Sequence, residues 1–152
     1  MATTTITNVW LRKVADAVRT GSFAFDAAYF RIGEGGWDVS GGVQAARVPD
    51  PSLVNIDCIQ NPSRYPANSV YYFQKSFTAG KVVEVTPYSV RIECFVDTTE
   101  ANDDGTGVSP EFWEIGVFDS AGTMISYTTF DRQPKDDSVA LRHYINIQFA
   151  LG

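Results

Sequence analysis

A chain of 152 residues with 44% hydrophobic, 13% aromatic and 20% charged residues has the length of one domain and the composition of a packed core, not of a disordered segment. Its 18 acidic residues outnumber 12 lysines and arginines, a formal net charge of -6 that excludes a basic face for nucleic acid and disfavours an anionic membrane surface. No window approaches the ~20 apolar residues of a membrane span, and the opening "MATTTITNVWLRKVADAV" lacks the apolar stretch of an export signal. Cys58 and Cys94 form neither a disulfide framework nor a C-x-x-C pair. Buried free thiols and folding in a reducing cytoplasm are therefore expected.

From Thr7 to Val18 the apolar residues Trp10, Val14, Ala17 and Val18 fall at helical spacing, with Thr7 or Asn8 to cap the start and Gly21 to end it. An amphipathic helix is predicted. The block "SFAFDAAYFRIGEGGWDVSGG" opens as an aromatic strand and dissolves into glycine. Residues 33–68, broken by glycines and four prolines, read as a long connection with little regular structure. Beyond Asn68 the period becomes two in "SVYYFQKSF", "KVVEV", "SVRIECFVD", "FWEIGVFD", "TMISYTTF" and "SVALRHYINIQF". Val90, Ile92, Cys94 and Val96 share one strand face, and Val139, Leu141, His143, Ile145, Ile147 and Phe149 share another. Residues 1–152 are thus expected to form a single domain, mainly β within the α+β class, with an N-terminal amphipathic helix followed by an antiparallel β-sheet or sandwich.

The stretch "EFWEIGVFDSAGTMISYTTF" reads as a hairpin. Asp119 can hold the turn through its side chain, and Gly122 can supply the left-handed residue of a type I turn with a bulge. Gly116, inside a strand, predicts a bulge or the close approach of another backbone. Glu114, with Phe112, Gly116 and Phe118 on its side of the strand, is expected to be partly buried and bonded across or at the edge of the sheet rather than to act as a general acid.

With those residues the chain resembles the N-terminal domain of bacteriophage tail-collar and tail-fibre proteins, which often carry E-I-G-[apolar]-[FY]-D-x-x-G. Glu114, Ile115, Gly116, Phe118, Asp119 and Gly122 match that hairpin motif. "ITNVWLRKVADAV" is similar to the family's opening helix, and "YFRIGEGG" is similar to its strand leading to a V-G-D-G-G turn, with Gly33, Gly35 and Gly36 as the glycine turn. Trp10 and Leu11 stand near the family's usual glycine, Glu34 replaces the commoner Asp, and nothing matches between Gly41 and Asn68. The resemblance implies a virion structural protein, made in the host cytoplasm and built into the phage tail. It would connect fibres to the tail tube or baseplate through subunit contacts, with no reaction of its own and no cofactor. Its expected partners are other tail, baseplate or fibre proteins and further copies of itself, a trimer by analogy to fibre symmetry. With the last strand running to Phe149, no length is left for a receptor-binding shaft and tip, so host recognition is expected to fall to another chain.

Rival sites are weaker. "EANDDGTGVSPE" approximates a calcium loop, with Glu100, Asn102, Asp104, Gly105 and Glu111 at ligand and turn positions. Its first ligand is Glu, Pro110 precedes the last, and its flanks read as strands, so a metal-free acidic connection is expected. His143 is the only histidine and lies on an apolar face, so a core or interface role is expected and a catalytic triad has no support. "GEGG" lacks the spacing of a phosphate loop. The aromatics Trp37, Tyr65, Tyr71, Tyr72, Phe73, Phe77 and Tyr88 are expected mostly in the core. Trp10, Tyr71, Tyr72 and Phe73 are the candidate interface, since "VYYFQKSF" places aromatics on both strand faces. A lectin-like sandwich binding surface glycan is the alternative function.

Overall fold

A computed structural model describes residues 2–21, 25–66, 70–86 and 89–148. The predicted strand positions at Phe149 and at residues 22–24, and Tyr88 of the aromatic set, lie outside the described residues.

The chain is mainly β, with antiparallel sheets and one long helix near its N-terminus. A short strand that sequence reading missed, β1 (Thr3–Ile6), precedes α1 (Asn8–Thr20). Thr7 joins the two. Its Oγ1 accepts from the Trp10 amide at 3.3 Å and donates to the Met124 carbonyl, which caps the helix and ties its start to the sheet. At the other end Gly21 takes φ 75°, and its amide reaches the Val18 carbonyl at 3.1 Å. The predicted stripe is narrower than its spacing suggested. Trp10 is 6% exposed, Val14 is half-buried, and Val18 is 63% exposed.

Five strands pair in the order β1, β9 (Met124–Pro134), β8 (Glu111–Phe118), β2 (Tyr29–Gly33), β5 (Tyr72–Ser76). Three more pair in the order β10 (Leu141–Gln148), β7 (Ser89–Val96), β6 (Val82–Thr86). Between these sheets lies the main core, where Phe30, Ile32, Ile115, Val117 and Phe130 meet Ile92, Cys94, Val96, Leu141, Ile145 and Ile147. Each such side chain contributes roughly 1.5–3 kcal/mol by leaving water. The alternation predicted for β7 and β10 is present, with Arg142, Tyr144, Asn146 and Gln148 exposed between buried neighbours.

The irregular connection has a purpose that its composition hides. It forms the ribbon β3 (Trp37–Ser40) and β4 (Val43–Ala46), the short helix α2 (Asp57–Gln60) and a 3-10 turn at Pro62–Arg64. Its Trp37, Leu53, Ile56, Cys58 and Tyr65 cover the second face of the large sheet, against Trp113, Phe118, Met124 and Tyr127. Strands β8 and β9 are therefore buried on both faces. This is why "EFWEIGVF" runs apolar without alternation.

Candidate functional site

The hairpin forms as predicted. The Gly122 amide donates to the Asp119 carbonyl at 3.0 Å, and Asp119 Oδ1 accepts from the amides of Ala121 and Thr123 at 3.0 and 2.9 Å. Gly122 sits at φ 83°. Gly122→Val is expected to cost about 1–3 kcal/mol in urea denaturation through strain at positive φ. An unchanged midpoint would contradict the turn. Asp119 also pairs with Lys13 of α1 at 2.5 Å, a link invisible in the sequence. Asp119→Asn keeps the turn acceptor and loses only this pair to a half-exposed lysine, so its expected cost is under about 1 kcal/mol.

Glu114 is not partly buried but wholly so, at 0% exposure. A register shift between Phe112 and Glu114 turns Phe112 into the main core, so the side Glu114 shares with Gly116 and Phe118 faces the covering segment instead. There the carboxylate accepts from the amides of Gly35 at 2.8 Å, Asp57 at 2.5 Å and Cys58 at 3.0 Å, and from the Tyr127 hydroxyl at 2.9 Å. Its partners are thus mainly backbone amides, two of them from the first turn of α2, with one cross-strand tyrosine. Burial holds its carboxyl above the ordinary range, against the hydrogen bonds from Cys58, Tyr127 and Asp57 that pull it down.

The glycine turn exists to let this happen. A Cβ on Gly35 would stand 2.5 Å from the Cys58 nitrogen, and one on Gly33 would stand 2.8 Å from Ile56 Cδ1. Gly36, at φ 85°, donates to the Tyr65 hydroxyl at 2.8 Å, and that hydroxyl donates to Asp57. Asp57 further accepts from Asn61 Nδ2 at 2.7 Å and pairs with Arg64 at 3.2 Å. Gly116 makes room of the same kind, but for side chains. Its Cβ would lie 2.8 Å from both Ile56 Cγ2 and Met124 Sδ, so the predicted approach of another backbone is instead the approach of packed side chains.

The remaining candidates do not converge on this node. Trp10, of the candidate interface, packs into the chain's own core, edge-on to Phe25 at 6.0 Å. Tyr71 and Phe73 are half-buried against that core, while Tyr72 is 40% exposed on the edge strand β5. In the acidic loop Glu100 pairs with Lys75 at 2.7 Å, and Asn102 accepts from the fully buried Lys135. Asp104 accepts from the Thr106 amide at 2.8 Å, and Glu111 pairs with Arg132 at 3.4 Å. Among the described residues no group of three or more His, Cys, Asp or Glu is gathered to hold a metal. A calcium ion would have to displace a lysine ammonium from Asn102. Calorimetry is expected to stay flat below about millimolar calcium, and micromolar binding would overturn that expectation.

The buried Glu34 and the half-buried His143 pull the pH dependence of stability in opposite senses. Glu34, 7% exposed, is raised to about 7, first by desolvation and then by the charges of Asp104 and Glu111, against amide hydrogen bonds. His143 stacks on Phe130 with centroids at 4.3 Å, bonds Gln133 Oε1 at 2.7 Å, and is lowered by burial to about 4. A raised carboxyl withdraws stability as pH rises from its unfolded value of 4.5 towards 7. A depressed imidazole withdraws stability as pH falls from 6.5 towards 4. The two largely cancel in that window. Glu34→Gln is expected to melt higher than the parent above neutrality, and His143→Gln to gain relative to its own neutral value as acid is added. Parallel profiles for all three proteins would contradict both assignments.

The fold and the node together define a mainly β sandwich whose covering segment is tied to the large sheet through the buried Glu114. Comparison of the chain with protein-family models, curated proteins and solved structures finds no match.

Proposed function

We propose that this chain is a structural protein of a tailed phage or phage-tail-like particle, connecting fibres to the tail tube or baseplate. One observation carries the reading. The two segments that resemble the tail-fibre family, the glycine turn and the E-I-G hairpin, are 79 positions apart, yet Gly35 bonds Glu114 directly. Motif residues that interlock in one buried unit are what a shared fold requires; scattered coincidences have no reason to meet. The enclosed state of Glu114 also supports a scaffold over an enzyme, since a carboxylate without access to solvent cannot reach a substrate.

The lectin alternative gains less support. A sugar ring needs an open aromatic face, and Tyr72 and Tyr144, exposed in the described residues, lie under Arg31 at 5.5 Å and Arg91 at 5.2 Å. Adsorption competition separates the readings. The purified protein is expected neither to block attachment of particles to cells nor to bind host glycan saturably. Saturable glycan binding would replace the connector with the lectin.

A further inference from the structure

Beside the ribbon β3–β4 lies a cleft of about 210 Å³, lined by Glu34, Trp37, Gln44, Val108, Ser109, Glu111 and Trp113. Four features of it stand apart from the Glu114 node. Glu34 is more than nine-tenths buried, its Oε1 accepts from the Glu111 amide at 2.8 Å, and its Oε2 has no hydrogen-bond partner. Two indoles stand in the wall, their ring centroids 6.2 Å apart, with Trp37 Nε1 fixed to the Glu34 carbonyl at 2.7 Å. A second carboxylate, Glu111, is half-open to solvent and only loosely held by Arg132 at 3.4 Å. Exposed Val43 and Val108 flank the opening, where a further hollow shares Gln44 and Trp113.

From this arrangement we infer that the cleft receives a cationic side chain, guanidinium or ammonium, presented by a neighbouring protein. A buried acceptor without a donor is costly, and rotation of the Glu34 carboxyl into the cleft it lines would give it the N–H groups of a cation that also meets Glu111. Indole faces add cation–π attraction, which strengthens as water leaves. The volume lies below the roughly 300–1,000 Å³ of clefts that enclose a whole small ligand, and suits a side-chain head group. The valines around the opening give a protein surface something to cover, which a free amine does not need. The inference does not rest on the connector reading, because the cleft's chemistry is independent of what the particle is.

Binding is coupled to a proton. Glu34 faces Asp104 and Glu111, whose charges hold its proton on, and Tyr71, which is neutral; Arg132 sits across Glu111. A cation entering the cleft favours the ionised form, so the proton leaves to solvent as the ion pair forms. Across about one unit either side of Glu34's midpoint, the competent fraction rises roughly tenfold, and apparent affinity rises with it.

The test is a titration of the intact chain with N-acetyl-arginine amide and N-acetyl-lysine amide, followed by the indole N–H resonances. N-acetyl-glutamine amide and a methyl glycoside serve as neutral probes. The cationic probes are expected to shift Trp37 and Trp113 saturably and leave Trp10 still, with affinity rising about tenfold from pH 6 to pH 8. Glu34→Gln, which keeps the acceptor for the Glu111 amide, is expected to lose both the binding and its pH dependence. A decapeptide carrying one arginine among apolar residues is expected to bind more tightly than the amino-acid amide. Equal binding of a neutral probe, or no saturable shift of Trp37 and Trp113, would overturn the assignment. A pH-independent response in the parent protein would overturn the role of Glu34 even if the variant failed to fold. Tighter binding of the free amide than of the peptide would overturn the protein neighbour.

Discussion

Glu114→Ala is expected to remove on the order of 4–6 kcal/mol of stability, a third or more of the ~5–15 kcal/mol that a domain holds in reserve. The reason is the number of donors stranded at once. The amides of Gly35, Asp57 and Cys58 and the hydroxyl of Tyr127 all lose their acceptor in a place without solvent. Each unsatisfied buried group costs about 1–3 kcal/mol, and the total falls short of the sum because the loop relaxes. Glu114→Gln keeps the volume and one acceptor oxygen but points an NH2 group at donors, so about half the alanine loss is expected. Urea denaturation followed by tryptophan fluorescence measures both. An alanine variant as stable as the parent would show that the node does not hold the covering segment.

Gly35→Ala is the second large effect, and it separates steric from conformational roles of glycine. Its Cβ would stand 2.5 Å from the Cys58 nitrogen and 2.8 Å from Cys58 Cβ, and neither can move without withdrawing α2 from Glu114. A loss of about 3 kcal/mol or more is expected, comparable to overpacking combined with a broken buried hydrogen bond. Gly80→Ala is the control. Gly80 has open space around it and φ 86°, so only backbone strain applies, about 1 kcal/mol. Hydrogen exchange adds the location. In Gly35→Ala the Asp57 and Cys58 amides are expected to lose protection while β7 and β10 keep theirs. Equal costs for the two glycine variants would contradict the account of the turn.

What was legible in the sequence follows from which signals side chains carry. The helix, its Thr7 and Gly21 caps, the Asp119 turn and the alternation of β10 are each written in residue types with one dominant physical use. The partners of Glu114 were not legible, because three of the four donors are backbone amides and every residue but proline has one. A glutamate in an otherwise unbroken apolar strand was the available signal for burial. Strand β1 was missed because "TTTI" is polar and becomes a strand only by pairing with β9. The face of Phe112 was misread for a related reason. The shift between Phe112 and Glu114 breaks the period of two, and nothing in "EFWEIG" marks it. Likewise the connection between Gly41 and Asn68, without a matching motif, supplies α2 and Tyr65 to the node through position rather than pattern.

The connector reading is tested most directly by electron microscopy of particles assembled without this chain. Tails of normal length with an intact tube and baseplate, but without fibres, are the predicted result, with fibres restored when the protein is supplied from a plasmid. Particles that keep their fibres, or that fail to build a tail at all, would contradict it.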